Sequence, residues 1–247
     1  MSNVTYHSEV IDLPSKGKFY PQGSPLASGQ VELKYMTAKE EDILTSTNLI
    51  QKGVVLDKLM DSLIVTKNVT HEDFLLGDLN AVMVASRILG YGKEYPLNVT
   101  CPKCNTTSEH NVDLSQLETK DIPENDLTFK LPVSGKTIKV RLLTRKIEKD
   151  IEKELEGLKK IGSNIQPEAT TRLRYLIAEV DGSTDQKVIR ETAETMLVKD
   201  SKALREFYRS VTPDVKFESS FICSNCNEQT VLPFSIGLNF FWPDARV

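Results

Sequence analysis

Four cysteines are the residues of this chain whose type and spacing could do chemistry. They form two identically spaced pairs, Cys101 with Cys104 and Cys223 with Cys226, and the 247 residues include no fifth cysteine. A C-x-x-C turn directs two thiolates at one point, and two such turns supply the four soft ligands of a tetrahedral zinc site. Because four protein ligands leave no coordination position open to water, we expect a structural Zn²⁺ and no metal catalysis.

The residues around each pair favour one local structure, a zinc knuckle at the tip of a β-hairpin. Strand-forming residues precede each pair, at 97–100 and 221–222, and Asn105 and Asn227 follow the second cysteine of each pair. Strand-forming residues then resume. Since residues 105–222 separate the two pairs, the metal would join segments that are remote in sequence.

Three other uses of these cysteines remain open: two disulfides, four buried thiols, or a thioredoxin-like redox motif. Disulfides require an oxidising compartment, and residues 1–7 have neither the basic nor the apolar region of a signal peptide. Neither pair opens a helix after a buried strand, as a redox motif would. His110 could also replace one cysteine as a ligand, although its polar surroundings favour an ordinary surface histidine.

Composition limits the classes of function. With 27% charged and 39% hydrophobic residues, the chain resembles an ordinary globular protein, large enough for one domain or two modest ones. No run approaches the roughly 20 apolar residues of a membrane span, so we expect none. The net charge of −4 does not favour nucleic-acid binding.

We find no arrangement of residues that predicts catalysis. The chain has no phosphate-binding G-x-x-x-x-G-K-[ST] or G-x-G-x-x-G motif and no H-E-x-x-H motif. His7, His71 and His110 lie in polar contexts, without a neighbouring nucleophile arrangement. We therefore expect a protein that is not an enzyme and has no small-molecule substrate.

The pattern of elements predicts an α+β fold in three regions. Residues 1–95 are predicted to form an extended arm, with a strand at 30–35, followed by a helical unit that starts at a Thr37–Glu40 capping box. Residues 96–120 with 214–247 are predicted to form a discontinuous zinc ribbon. Residues 121–213 are predicted to be an inserted domain.

Within the insertion, alternating apolar residues predict a hairpin over 127–142, and Thr144 is suited to cap a long charged helix. Helical spacing predicts a second helix that includes Leu173 and Val180, and a third over 188–197. A fourth helix is predicted to be capped by Asp200 or Ser201. The fold class expected is thus α+β: a helical N-terminal unit, a two-knuckle four-cysteine zinc ribbon, and an inserted hairpin with helices.

Two aromatic groups are candidates for binding a partner protein. Phe19 and Tyr20 lie in a loop bracketed by prolines, and Phe240, Phe241 and Trp242 lie close to the C-terminus. Aromatic side chains are efficient interface anchors. The alternative in both cases is that these side chains pack in the core of the chain itself.

Several segments together resemble the baseplate hub assembly proteins of T4-like contractile-tailed phages. The segments are residues 13–21, residues 31–37 with Glu40 and Glu41, residues 75–78, and the first C-x-x-C pair. The resemblance implies a protein without enzymatic activity, made in the cytoplasm of the infected bacterium, that binds other baseplate or hub proteins. It would either stay in the tail baseplate of the virion or act only during assembly. The alternative class is a cellular zinc-ribbon adaptor in transcription or RNA handling.

Overall fold

The structure is a computed structural model, which describes residues 7–120, 127–160, 167–236 and 238–241. The chain divides into two compact units. Unit 1 comprises residues 1–71, 78–120 and 214–247, and unit 2 comprises residues 72–77 and 121–213. The described residues form a mixture of α-helices and small antiparallel sheets, as the α+β prediction requires.

Unit 1 begins with a two-stranded antiparallel sheet, β1 (Ser8–Asp12) and β2 (Gln30–Lys34). The sequence predicts β2 but not β1. Between the strands the chain folds back on itself, and Gly17, at φ +75°, lies against residues 27–29. A Cβ on Gly17 would lie 2.3 Å from the Ala27 carbonyl oxygen, so this position requires glycine.

The helices of the N-terminal region follow. They are α1 (Ala38–Thr45), α2 (Thr47–Gln51), α3 (Val55–Leu63) and α4 (Leu76–Tyr91). The predicted capping box is present, because the Glu40 carboxylate accepts hydrogen bonds from the amide and the hydroxyl of Thr37. The same carboxylate pairs with Lys34 at 2.8 Å and is fully buried. The Glu40 carboxylate therefore links the first turn of α1 to Lys34 at the end of β2.

Two hairpins carry the cysteine pairs. The first consists of β3 (Glu94–Thr100) and β4 (Thr107–Asp113), and the second of β8 (Glu218–Ile222) and β9 (Gln229–Pro233). Where the chain leaves unit 1 and returns to it, the Lys120 amide donates to the Asp214 carbonyl and the Lys216 amide donates to the Glu118 carbonyl. The two hairpins are thus joined at their base by backbone hydrogen bonds.

Unit 2 combines a three-stranded antiparallel sheet with four helices. The sheet has the order β5 (Thr128–Lys130), β6 (Thr137–Val140), β7 (Ile177–Val180). The helices are α5 (Arg145–Lys160), α6 (Glu168–Leu176), α7 (Gln186–Thr195) and α8 (Val198–Val211). The hairpin and the helix capped by Thr144 are where the sequence predicts them.

Two predictions within unit 2 are wrong. The second helix does not extend to Val180, because α6 ends at Leu176 and the next four residues form β7, which pairs with β6. Apolar residues three positions apart, here Ile177 and Val180, lie on one face of a helix, which is why the sequence favours a helix at this point. Asp200 does not cap α8, which already begins at Val198. Its buried carboxylate instead accepts hydrogen bonds from the amides of Val133 and Ser134, at 2.8 and 3.0 Å, and so fixes the β5–β6 turn.

No helix in the described part of the chain is long and apolar enough to span a membrane.

Candidate metal centre

Each cysteine pair lies in a turn with the same backbone geometry. The amide of the first cysteine bonds to the carbonyl of the fifth residue after it, Thr106 or Glu228, and the amide of the asparagine bonds back to the carbonyl of the first cysteine. Asn105 and Asn227 adopt positive φ values of 56° and 55°. Asparagine tolerates this left-handed conformation better than other residues with a side chain, which explains why it follows both pairs. Each cysteine pair thus lies in the turn of a β-hairpin, where the sequence predicts it.

The two turns bring the four cysteine sulfurs together. All four Sγ atoms lie within 4.8 Å of one another. Cys101 Sγ is 3.7 Å from Cys226 Sγ, and Cys104 Sγ is 3.6 Å from Cys223 Sγ. All four cysteines are free, and these separations far exceed the ~2.05 Å of a disulfide bond. Four sulfurs that each lie about 2.3 Å from a central ion are about 3.8 Å apart in a regular tetrahedron, so the cluster could hold a metal ion.

Contacts between the knuckles are reciprocal. A constant offset of 122 residues takes Cys101 to Cys223 and Cys104 to Cys226. The Lys103 ammonium contacts Glu228 at 2.7 Å. In the equivalent contact, the Asn225 amide donates to the Thr106 hydroxyl at 3.2 Å. This exchange of partners is what an approximate two-fold relation between the hairpins produces.

The inner faces of the hairpins bury one side of the cluster. Cys101 and Cys223 are buried with Phe221, whereas Cys104 and Cys226 are half-buried. Val99 and Leu232 pack against them. A closed cluster of this kind can stabilise a fold, but it offers no open position for a reacting water.

The thiols differ in acidity. Hydrogen bonds from Thr106 and from the Asn225 side chain lower the pKa of Cys104 to about 5. The Glu228 amide lowers the pKa of Cys226, but burial and the neighbouring thiols outweigh it and raise that pKa to about 12. Without a cation the Cys226 thiol therefore resists losing its proton, because a thiolate there would lie buried beside the other sulfurs. A bound divalent ion favours the thiolates and displaces the protons.

His110 lies on β4, away from the sulfurs. Its Nε2 atom lies 3.0 Å from the Ser219 hydroxyl, and its ring packs edge-on against Phe221, with ring centroids 5.6 Å apart. Among the described residues, the cluster of possible metal ligands consists of the four cysteines. His110 thus joins the inner faces of the two hairpins and is not part of the metal cluster.

The first aromatic candidates are partly covered. Phe19 and Tyr20 are both half-buried. The Tyr20 hydroxyl donates to the buried carboxylate of Asp78 at 2.7 Å, and the Ser15 amide donates to the same carboxylate at 2.8 Å. Tyr20 therefore anchors its loop to α4, and the part of its ring that stays exposed keeps it a candidate for binding a partner.

The C-terminal aromatic residues occupy the interior. Phe240 and Phe241 are fully buried, and the Phe240 ring lies 5.1 Å from the Tyr95 ring, measured between centroids. This placement favours the core-packing alternative for both residues. Their binding to a partner stays a prediction, and Trp242 lies outside the described residues.

The sequence analysis does not identify Arg87, whose side chain binds the backbone at Phe240. The Arg87 guanidinium is buried and donates to three backbone carbonyls, those of Phe240, Gly92 and Glu94, at 2.8 to 3.2 Å. Burial lowers the pKa of Arg87. An arginine within an apolar helical stripe was the available signal, since a buried guanidinium needs such acceptors.

A family model described as "T4 bacteriophage base plate protein" matches residues 5–242. The match spans both cysteine pairs and the segment inserted between them. Comparison with curated proteins gives no match, and neither does comparison with solved structures.

Proposed function

Because the chain belongs to the T4 bacteriophage base plate protein family, we propose that it is a component or an assembly factor of the baseplate hub. The family makes it a structural protein of the phage tail. The proposed role is more specific: it binds other baseplate or hub proteins and catalyses no reaction. The observation that supports this most strongly is the extent of the family match, which covers nearly the whole chain.

The proposed metal is a structural Zn²⁺ held by Cys101, Cys104, Cys223 and Cys226. Thiolates are soft donors that suit zinc, and the spacing of the four sulfurs fits its tetrahedral geometry. The ion would join two hairpins that the chain separates by more than a hundred residues. Its role is then to hold together the two hairpins that flank residues 121–213, the proposed inserted domain, in the sequence.

The proposed place of action is the cytoplasm of the infected bacterium, where tails are assembled, and the protein would then either stay in the virion baseplate or leave it. Half-buried Phe19 and Tyr20 are the better candidates for contact with a partner, because Phe240 and Phe241 already pack inside the chain. The cellular zinc-ribbon adaptor is not favoured, since the family match connects the chain with phage tails.

A nonsense mutation in the phage gene, complemented from a plasmid, tests the function. Without complementation we expect infected cells to contain few complete baseplates and tails, as counted by electron microscopy. Wild-type protein should restore them. Mass spectrometry of purified virions and of assembly intermediates distinguishes a hub component from a transient factor. Normal numbers of complete tails in the absence of the protein would overturn the proposal.

A further inference from the structure

A groove of about 450 Å³ separates β4 of the first hairpin from β8 of the second. We call it the β4–β8 groove. At one end it is closed by the backbone bond from Lys216 to Glu118, and nearer the knuckles the side chains of His110 and Ser219 cross it. Residues of both strands line it, together with the exposed side chain of Val231 on β9.

The backbone of both strands offers hydrogen-bonding groups to this groove. The bonds that join Cys101 to Thr106 and Lys93 to Leu114 fix the alternation of the first hairpin. On β4, residues 109, 111 and 113 therefore point their N–H and C=O groups away from β3. In the second hairpin, the backbone bonds Cys223–Glu228 and Phe234–Phe217 fix the alternation in the same way. Residues 218 and 220 of β8 therefore point their N–H and C=O groups away from β9. No described strand pairs with these groups.

The opposite edges of the two hairpins carry proline at the corresponding outward-pointing positions. Pro96 on β3 and Pro233 on β9 each lack the N–H group that an added strand would bind. The edges that face the β4–β8 groove contain no proline. Among the described residues, the β3 and β9 edges are thus protected against strand addition, whereas the β4 and β8 edges at the groove are open to it.

The charge of the groove indicates what would enter. Its lining includes Asp113, Glu118, Glu218 and Lys216. Asp113 is paired with Lys93 at 2.8 Å and Glu118 with Lys216 at 2.9 Å, which leaves Glu218 as the carboxylate that can attract a cationic side chain. We propose that the groove receives an extended segment of a partner protein as an added β-strand, with a lysine or arginine side chain of that segment near Glu218. This deepens the proposed function, on which it rests, because it specifies how a phage partner docks.

A second copy of this chain fits the groove poorly. Its own groove edges carry the same carboxylates, its β3 and β9 edges carry proline, and β1, an edge strand of another described sheet, carries Glu9 and Asp12. Like charges facing each other across an interface oppose association. The occupant is therefore a different, basic segment.

Selection from a random peptide library against the purified full-length chain tests this docking without any phage component. We expect the enriched peptides to lack proline and to carry lysine or arginine in an alternating pattern. Ser220→Pro should weaken their binding about tenfold or more, because it removes an outward N–H group and leaves the hairpin ladder intact. Glu218→Lys should weaken it about three- to tenfold through charge.

The two-fold relation of the hairpins supplies matched controls. Asn98 is the counterpart of Ser220, and Asn98→Pro places the same change on the outer edge of β3. Glu94→Lys makes the same charge change on that edge. Both controls should bind like the wild type, and all four variants should retain the wild-type metal content and circular dichroism spectrum.

Three results would overturn the docking proposal: no enrichment, enriched peptides that are acidic or bind Ser220→Pro unchanged, or a dimer of the chain that Ser220→Pro dissolves. None of these results bears on tail assembly, and a phage that assembles without the protein leaves the peptide result standing. Failure of the docking proposal and failure of the proposed function are therefore distinguishable.

Discussion

Cys223 is the buried cysteine of the second knuckle, and its replacement tests the metal site at the scale of one residue. We expect Cys223→Ser to lower the zinc content well below one ion per chain and to destabilise the fold by about 3 kcal/mol or more, because metal binding is coupled to folding. Elemental analysis and thermal unfolding measure both effects. Ser224→Ala, an exposed change in the same turn, is the control. Unchanged metal content in Cys223→Ser would contradict the assignment.

Glu40 gives a prediction about acid stability. Burial alone would raise its pKa, but hydrogen bonds from Lys34, Ser62 and Thr37 outweigh burial and lower the pKa to about 2. A carboxylate with a pKa depressed below its usual value stabilises the folded state above about pH 4.5, and this contribution is lost as the pH falls toward 2.

We therefore expect Glu40→Gln to destabilise the protein at pH 7 by about 1–3 kcal/mol, because Lys34 is left buried without its carboxylate. The difference from wild type should shrink as the pH falls from about 4.5 toward 2. Urea unfolding across this pH range measures it. Glu41→Gln, an exposed change on the same helix, should have little effect at any pH. A deficit that persists unchanged at low pH would show that the carboxylate charge is not the cause.

At the scale of elements, the loop between β1 and β2 depends on a close backbone approach. Gly17→Ala would place a Cβ 2.3 Å from the Ala27 carbonyl oxygen in a left-handed conformation, and we expect a loss of about 1–3 kcal/mol. Gly23→Ala is a matched control, because Gly23 also has a positive φ but no atom lies within 4 Å of the added carbon. Equal unfolding midpoints for the two variants would mean that the loop accommodates the added carbon without loss of stability.

The elements that the sequence predicts correctly have local signals. The Thr37–Glu40 capping box and the two C-x-x-C turns each specify their geometry within a few residues. The elements it misses depend on partners remote in the chain. β1 is a strand because it pairs with β2, and β7 is a strand because it pairs with the free edge of β6. Arg87 likewise depends on a remote partner, because its guanidinium binds the carbonyl of Phe240, 153 positions later in the chain.

At the scale of the whole molecule, the resemblance to phage baseplate proteins is confirmed at the level of the family, whereas the hub role stays a proposal. Whether the zinc ribbon is a domain distinct from the helical N-terminal unit also stays a prediction. The cysteine cluster could be predicted from sequence spacing alone, because two C-x-x-C pairs are typical of a four-thiolate metal site. The open groove beside it could not be predicted, because it depends on which strand edges remain unpaired.

Chelation tests the division of the molecule into units. When a strong chelator removes the metal, we expect the amides of β3, β4, β8 and β9 to lose protection in hydrogen exchange, while those of β6 and α8 in unit 2 stay protected. The apolar cluster of unit 2 contains none of the cysteines, so we expect its packing not to depend on the proposed metal. Chelator added to Cys223→Ser should change nothing further. Loss of protection throughout both units would show that they unfold together.

The backbone bonds at the base of the hairpins have a consequence for folding kinetics. Bringing the two cysteine pairs together closes a loop of about 120 residues, which costs on the order of 4 kcal/mol of chain entropy. If residues 121–213 fold first, most of that loop is already ordered. Only a short step then remains, in which Lys120 and Asp214 form their backbone hydrogen bond. Each knuckle alone offers only two thiolates, so the complete set of ligands exists only after this closure. A nascent chain would then capture its ion late, after residues 214–247 have been synthesised.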